Sequence, residues 1–156
     1  MESEVQSVGE PPATEDVSKA LVDIEQSWRG KGTDWFLQKL ASWANQNGME
    51  FGLTLHTPTG IVSGTLISHV TYFKAFAEEF AGPWLGEDEG PLRDAISTYG
   101  DPLPGDDEPG ASINFIHLKD AQFYAPGQNP MPENGILWRG KISAVCSFHL
   151  GRFAQA

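Results

Sequence analysis

Cysteine is almost absent: Cys146 is the sole one, so no disulfide can close within the chain. Basic residues are scarce as well, 10 Lys and Arg against 21 Asp and Glu, giving a formal net charge of -11. A uniformly acidic surface repels phosphate and anionic lipid, which argues against general binding of nucleic acid or membrane and leaves room only for a local basic patch. No apolar run reaches the roughly 18 residues a membrane-crossing helix needs, and the opening MESEVQSVGEPP has neither a basic leader nor an apolar stretch. The expectation is a soluble, cytoplasmic chain without a membrane anchor.

The familiar chemical motifs are missing too. His56, His69, His117 and His149 show neither H-x-x-x-H nor H-E-x-x-H spacing, and there is no cysteine pair to complete a metal site. The acidic stretches Glu87 to Glu89, and Asp101 with Asp106 to Glu108, lack the register of a calcium loop and read as solvated loops. Ser63, Ser68, Ser143 and Ser147 have no G-x-S-x-G elbow around them, and neither a P-loop nor a dinucleotide fingerprint occurs. No catalytic residue, cofactor or metal is expected. An enzyme is the last of the classes considered.

What is present is enough to build one core. Hydrophobic residues make up 40% of the chain, with five Trp, nine Phe and three Tyr, each able to bury a large area. Residues 1–16 are acidic with almost nothing apolar and read as a disordered lead. Residues 17–32 read as a short amphipathic helix, Val17 to Trp28, and a linker. Residues 33–156 read as a single β domain with an acidic loop, 84–111, inserted into it.

Within that domain the chain changes period several times. Thr33 or Asp34 caps a helix through Trp35, Leu37, Leu40 and Ala44 that stops at Asn47-Gly48. Phe51 to His56 alternates as a strand, Thr57-Pro58-Thr59-Gly60 turns it, and Ile61 to Ser68 returns, with Gly64 marking a bulge or a close backbone approach. Val70, Tyr72, Phe73, Phe76 and Phe80 fall at helical spacing and end at Gly82-Pro83. In the acidic loop a short helical turn is expected at Leu92 to Thr98. Ile113 to Tyr124 is a strand with apolar residues on both sides, and APGQNPMPENG is a loop.

The longest run of one period closes the domain. In Ile136 to Phe153 the even positions Trp138, Gly140, Ile142, Ala144, Cys146, Phe148 and Leu150 would line a core, and the odd ones, Val145 excepted, would face water. Cys146 then reads as a small core residue rather than a nucleophile. The fold class is therefore α+β, mainly β with helices. A final strand long enough to serve two edges favours a small antiparallel β-barrel, with an N-terminal helix and a helix plus acidic loop inserted between strands.

Particular residues carry two resemblances. LTLHTPTGIVSGTLIS, FIHLKDA and WRGKI together resemble the Sm-like, SH3-type barrel. In Sm-like proteins an Arg-Gly at the place of Arg139-Gly140 helps bind RNA. Here Trp138 precedes it, the Asp and Asn of the partner loop are lacking, and a helix follows the second strand. A structural or subunit-contact role for Arg139 is the stronger reading, with an Sm-like RNA binder as the alternative function. VSGTLIS, TYFKAFAEEF, FIHLKDAQFY and ILWRGKISAVCSFHLGRF together resemble the gas vesicle accessory protein GvpU family, over about Trp35 to Phe153. That resemblance implies a non-enzymatic protein of gas vesicle biogenesis. It would act on the vesicle shell or other vesicle proteins and gather vesicles by self-association, as a homo-oligomer without nucleic acid or membrane. The candidate contact residues are Tyr72, Phe73, Phe76 and Phe80 on the aromatic helix, and Trp138, Arg139 and Lys141 on the last strand.

Overall fold

The computed structural model describes Lys19 and residues 32–83, 89–102 and 113–153. The acidic lead and, apart from Lys19, the helix expected over Val17 to Trp28 lie outside the described residues. Thr33–Ala156 forms one compact unit, and the architecture below is that of its described part.

Helix α1, Trp35–Asn47, begins where Asp34 accepts hydrogen bonds from the N–H groups of Phe36 and Leu37, and ends at Gly48. Asp34 rather than Thr33 is therefore the cap, satisfying two of the donors a helix start leaves open. Leu37, Leu40, Ala41 and Ala44 form its buried stripe. Strands β1, Phe51–Thr57, and β2, Gly60–Ile67, make the expected hairpin. Its pairing with the next strand shifts register between Ser63 and Thr65. Between them lies Gly64, whose added Cβ would stand 3.0 Å from the Lys119 carbonyl oxygen and 3.1 Å from Ala121 Cα. Bulge and close approach coincide there.

Ser68 caps α2, His69–Ala81, by accepting from the Thr71 N–H. The inserted segment is more ordered than a loop over its described part. Helix α3, Glu89–Ser97, is followed by a 3₁₀ turn, Thr98–Gly100. Arg93 ties α3 to α2 through Glu78, 2.9 Å away, and also pairs with Glu89 one turn back.

Strands β3, Phe115–Tyr124, β4, Met131–Lys141, and β5, Ser147–Leu150, complete a five-stranded antiparallel sheet of order β4-β3-β2-β1-β5. The class is α+β, as expected. The sheet ends at β4 on one side and β5 on the other, with no ladder joining them among the described residues. The expected loop before Ile136 is half strand. Met131 already pairs with Phe123, and Gln122 donates its side-chain amide to the carbonyls of Pro132 and Glu133, so prolines that cannot donate still sit on an edge.

The expectation of one long last strand is corrected. A 3₁₀ turn, Ile142–Ala144, breaks it into β4 and β5. The even positions Trp138, Ile142 and Phe148 face the core and Val145 is the expected exception among the odd ones, whereas Ala144 and Cys146, in and just after the turn, are exposed and Leu150 is 68% exposed. A strict period of two cannot survive a helical turn.

One face of the sheet, carrying Leu53, Leu55, Val62, Leu66, Ile116 and Leu118, packs against the apolar stripe of α1. Burying such a side chain contributes on the order of 2 kcal/mol. The opposite face is divided. At one end it takes α2. At the other, residues 151–153 fold back across it: Thr54 Oγ1 donates to the Gly151 carbonyl at 2.8 Å, and the Phe153 N–H donates to Ser63 Oγ at 2.9 Å. Thr54 and Ser63 are buried and bonded to each other, so two hydroxyls sealed under the chain end are all satisfied.

Candidate functional site

The candidate residues fall on the two faces of the sheet, because β4 sends neighbouring side chains to opposite sides. Arg139 and Lys141 pair in register with His117 and Phe115 and share the α2 face; Trp138 pairs with Leu118 and faces the core.

On the α2 face the spacing Tyr72, Phe76, Phe80 puts three rings one turn apart. Their centroids are 6.0 Å apart at each step, and Phe76 and Phe80 stack at 12°. Exposure rises along the row, from 7% at Tyr72 to 36% at Phe76 and 46% at Phe80. The row thus starts in the structure and ends in solvent. Phe73 leaves it, its ring 6.2 Å from Tyr99 and 6.1 Å from His117. Gly100 lies against Val70 and Phe73, which fixes the 3₁₀ turn on α2.

His117 stands under this row, its ring 4.6 Å from Tyr72. Burial, then the Arg139 guanidinium and His69, push its pKa down to about 4. The Nε2 atoms of His117 and His69 are buried without a hydrogen-bond partner among the described residues. Burial raises the Tyr72 phenol above its usual range, Arg139 opposing and Glu79 adding to the shift. The Arg139 guanidinium lies 3.5 Å above the Phe115 ring, a cation–π seat, and has no ion-pair partner among the described residues.

On the core face Trp138 folds back over its own strand. A Cβ placed on Gly140 would stand 2.6 Å from Trp138 Cζ2 and 2.8 Å from Cζ3, so the indole rests directly on the glycine. Beside it opens a cavity of about 310 Å3, lined by Val62, Phe123, Trp138, Gly140, Lys141 and Ala144 with the β1–β2 turn Thr57-Pro58-Thr59. Thr57 Oγ1 donates to the Gly60 carbonyl at 2.9 Å and lies 3.1 Å from Thr59 Oγ1, which holds that lip in shape. Gly140→Ala is expected to unseat the indole and cost about 2 kcal/mol. Urea unfolding with tryptophan fluorescence checks it, and an unchanged midpoint would contradict the seating.

The sequence singles out His117 only among the histidines weighed for a metal, and it does not single out Phe115 or Phe123. The alternation of β3 carried the signal for the first two, since Phe115 and His117 share the face opposite Ile116 and Leu118. The exposed Cys146 thiol follows the 3₁₀ turn, its N–H donating to the His56 carbonyl at 2.8 Å. No group of three His, Cys, Asp or Glu able to hold a metal occurs among the described residues, and none of their helices is long and apolar enough to cross a membrane.

These features define an α+β domain with two open sheet edges and an aromatic helix that runs out into solvent. The chain belongs to the GvpU-like family of gas vesicle proteins, whose model matches residues 34–153. No curated protein and no solved structure matches it.

Proposed function

We propose that this protein is a non-enzymatic accessory factor of gas vesicle biogenesis. It works in the cytoplasm, associates with the vesicle shell or with other vesicle proteins, and gathers them by self-association. Membership of the GvpU-like family over residues 34–153 is the observation that carries this reading. Two features are compatible with the self-association. The sheet ends on one side at β5, whose outer backbone groups are available to the same strand of a second copy, and such a pairing of like edges joins two protomers into one continuous sheet. In this reading the five strands act as a small barrel of the Sm-like type, and Tyr72, Phe73, Phe76 and Phe80, with Trp138, Arg139 and Lys141, supply the contacts. Phe76 and Phe80 are the two whose exposure is hard to explain by core packing.

The test is co-flotation of the purified protein with isolated gas vesicles, with its mass in solution measured by light scattering. The protein should enter the buoyant layer and be oligomeric. A Phe76→Ser, Phe80→Ser double variant should partition at least about tenfold less, as expected when exposed aromatic anchors are lost. A monomer that stays in the clear phase would overturn direct shell association. RNA capture that weakens steeply with salt would put the Sm-like alternative in its place.

A further inference from the structure

The cavity beside Trp138 and the outer edge of β4 are adjoining, and together they have the features of a peptide site. The cavity floor and walls are the Trp138 indole, Phe123, which is 42% exposed, and Val62. Its volume of about 310 Å3 suits one or two apolar side chains rather than a large cofactor. The lip is held by the Thr57 hydroxyl, already bonded to Gly60 and Thr59, so the opening is pre-formed.

The edge supplies direction. The Ile142 N–H donates to the Asn114 carbonyl at 2.9 Å, toward β3. Peptide groups alternate along an antiparallel strand, so those of Gly140 also face β3, while the N–H and C=O of Arg139 and Lys141 face outward. Among the described residues no strand pairs with β4 on that side. An incoming extended segment would meet two donors and two acceptors spaced for a ladder.

Charge selects the occupant. Lys141, which shares the α2 face with Arg139 by register, also reaches the cavity lining as its one charged residue and has no ion-pair partner among the described residues; Arg139, one alternation earlier, stays on the α2 face over Phe115. Arg139 and Lys141 thus place two of the chain's ten Lys and Arg residues two positions apart on one edge strand, against a net charge of -11. At about 0.15 M salt the repulsion of the remaining surface is screened beyond about 8 Å, so local contacts decide.

We propose that the β4 edge and the Trp138 cavity bind an extended acidic peptide segment of a partner protein, with an aromatic or aliphatic side chain between Trp138 and Phe123 and carboxylates beside Lys141 and Arg139. This goes beyond the accessory role, and peptide capture is measurable without vesicles, so either can fail alone.

The probe is the synthetic peptide Ac-DELWDE-NH2, titrated into the full chain by calorimetry and by amide and indole shifts in NMR. Controls are Ac-DEAADE-NH2, Ac-KKLWKK-NH2 and the acidic peptide N-methylated at alternate backbone nitrogens. The acidic peptide should bind and shift Trp138, Phe123 and β4. Removing its apolar pair should weaken it at least about tenfold. Lys141→Glu and Phe123→Ser, both at exposed positions that leave the core intact, should each weaken it about tenfold, and one of the two N-methylation frames should abolish it. No binding, equal binding of the lysine peptide, shifts confined to α2, or a β4 edge already covered by a second copy of the chain would overturn the proposal.

Discussion

Gly135→Ala is expected to lower the stability of the fold by about 4 kcal/mol. Gly135, in β4, has a φ of 69°, and an added Cβ would stand 2.6 Å from both Cα and C of Asp120 and 2.9 Å from its oxygen. Those are backbone atoms of β3, which cannot swing aside as a side chain can. Asp120 itself has a φ of 50°, at a bulge where pairing with β4 skips from Leu118 to Ala121. A left-handed alanine costs on the order of 1 kcal/mol and a backbone clash in a packed sheet adds about 3. The damage should not stop at the bulge. The Asp120 carbonyl accepts from Arg152 Nη2 at 2.8 Å, and Arg152 is part of the chain end that covers Thr54 and Ser63. Urea unfolding at neutral pH measures the loss, and a midpoint shift worth less than about 1 kcal/mol would show that the bulge relaxes freely.

The same bulge shows what the sequence can and cannot disclose. The hairpin of β1 and β2 was legible because both strands keep a period of two with a Pro-Thr-Gly turn between them. Helix α2 was legible for the corresponding reason, its rings recurring at three and four. The stretch from Ile136 to Phe153 also keeps a period of two, yet it is two strands. Nothing in ISAV forbids extended backbone. The 3₁₀ turn arises because Ile142 must donate to Asn114 while Cys146 must donate to His56, at opposite ends of the sheet. That is a tertiary demand, absent from local spacing. Asp120 is another case: a non-glycine residue with positive φ inside LKDAQ carries no local sign.

The candidate residues were legible by type and not by grouping. Trp138, Arg139 and Lys141 are consecutive or nearly so, which invites reading them as one patch. The pleat separates them, putting Trp138 over Gly140 on the core face and the Arg139 guanidinium on Phe115 on the other. Phe123 reaches the Trp138 cavity only because the β3 register shifts twice. Without the bulge at Asp120, Ala121 to Tyr124 would present the opposite faces, and Gly135 is what permits that bulge.

Acidification supplies the second large effect, through His117. Its imidazole is pushed down to about 4 from an ordinary 6.5, first by burial, then by Arg139 and His69. The groups facing it are Tyr72 and His69 from α2 and Arg139 from β4, with Glu79 acting on Tyr72. A depressed histidine pKa means the unfolded chain takes up the proton first. Above about pH 6.5 both states are neutral and the group is without effect. As the pH falls from 6.5 to 4 the unfolded state gains a proton the folded state refuses, and stability drops by about 3 kcal/mol. Below 4 the loss is complete. The strain falls where α2 meets β3, so the row that leads from Tyr72 to Phe76 and Phe80 should loosen first, ahead of the α1 core. His117→Phe keeps a ring beside Tyr72 and removes the titration. Urea unfolding of both proteins at pH 7 and pH 4 isolates the histidine, because the carboxylate background is common to both. The wild-type chain should lose about 3 kcal/mol more than the variant. Equal losses would mean that water reaches His117 in the folded state and that α2 is not acid-labile.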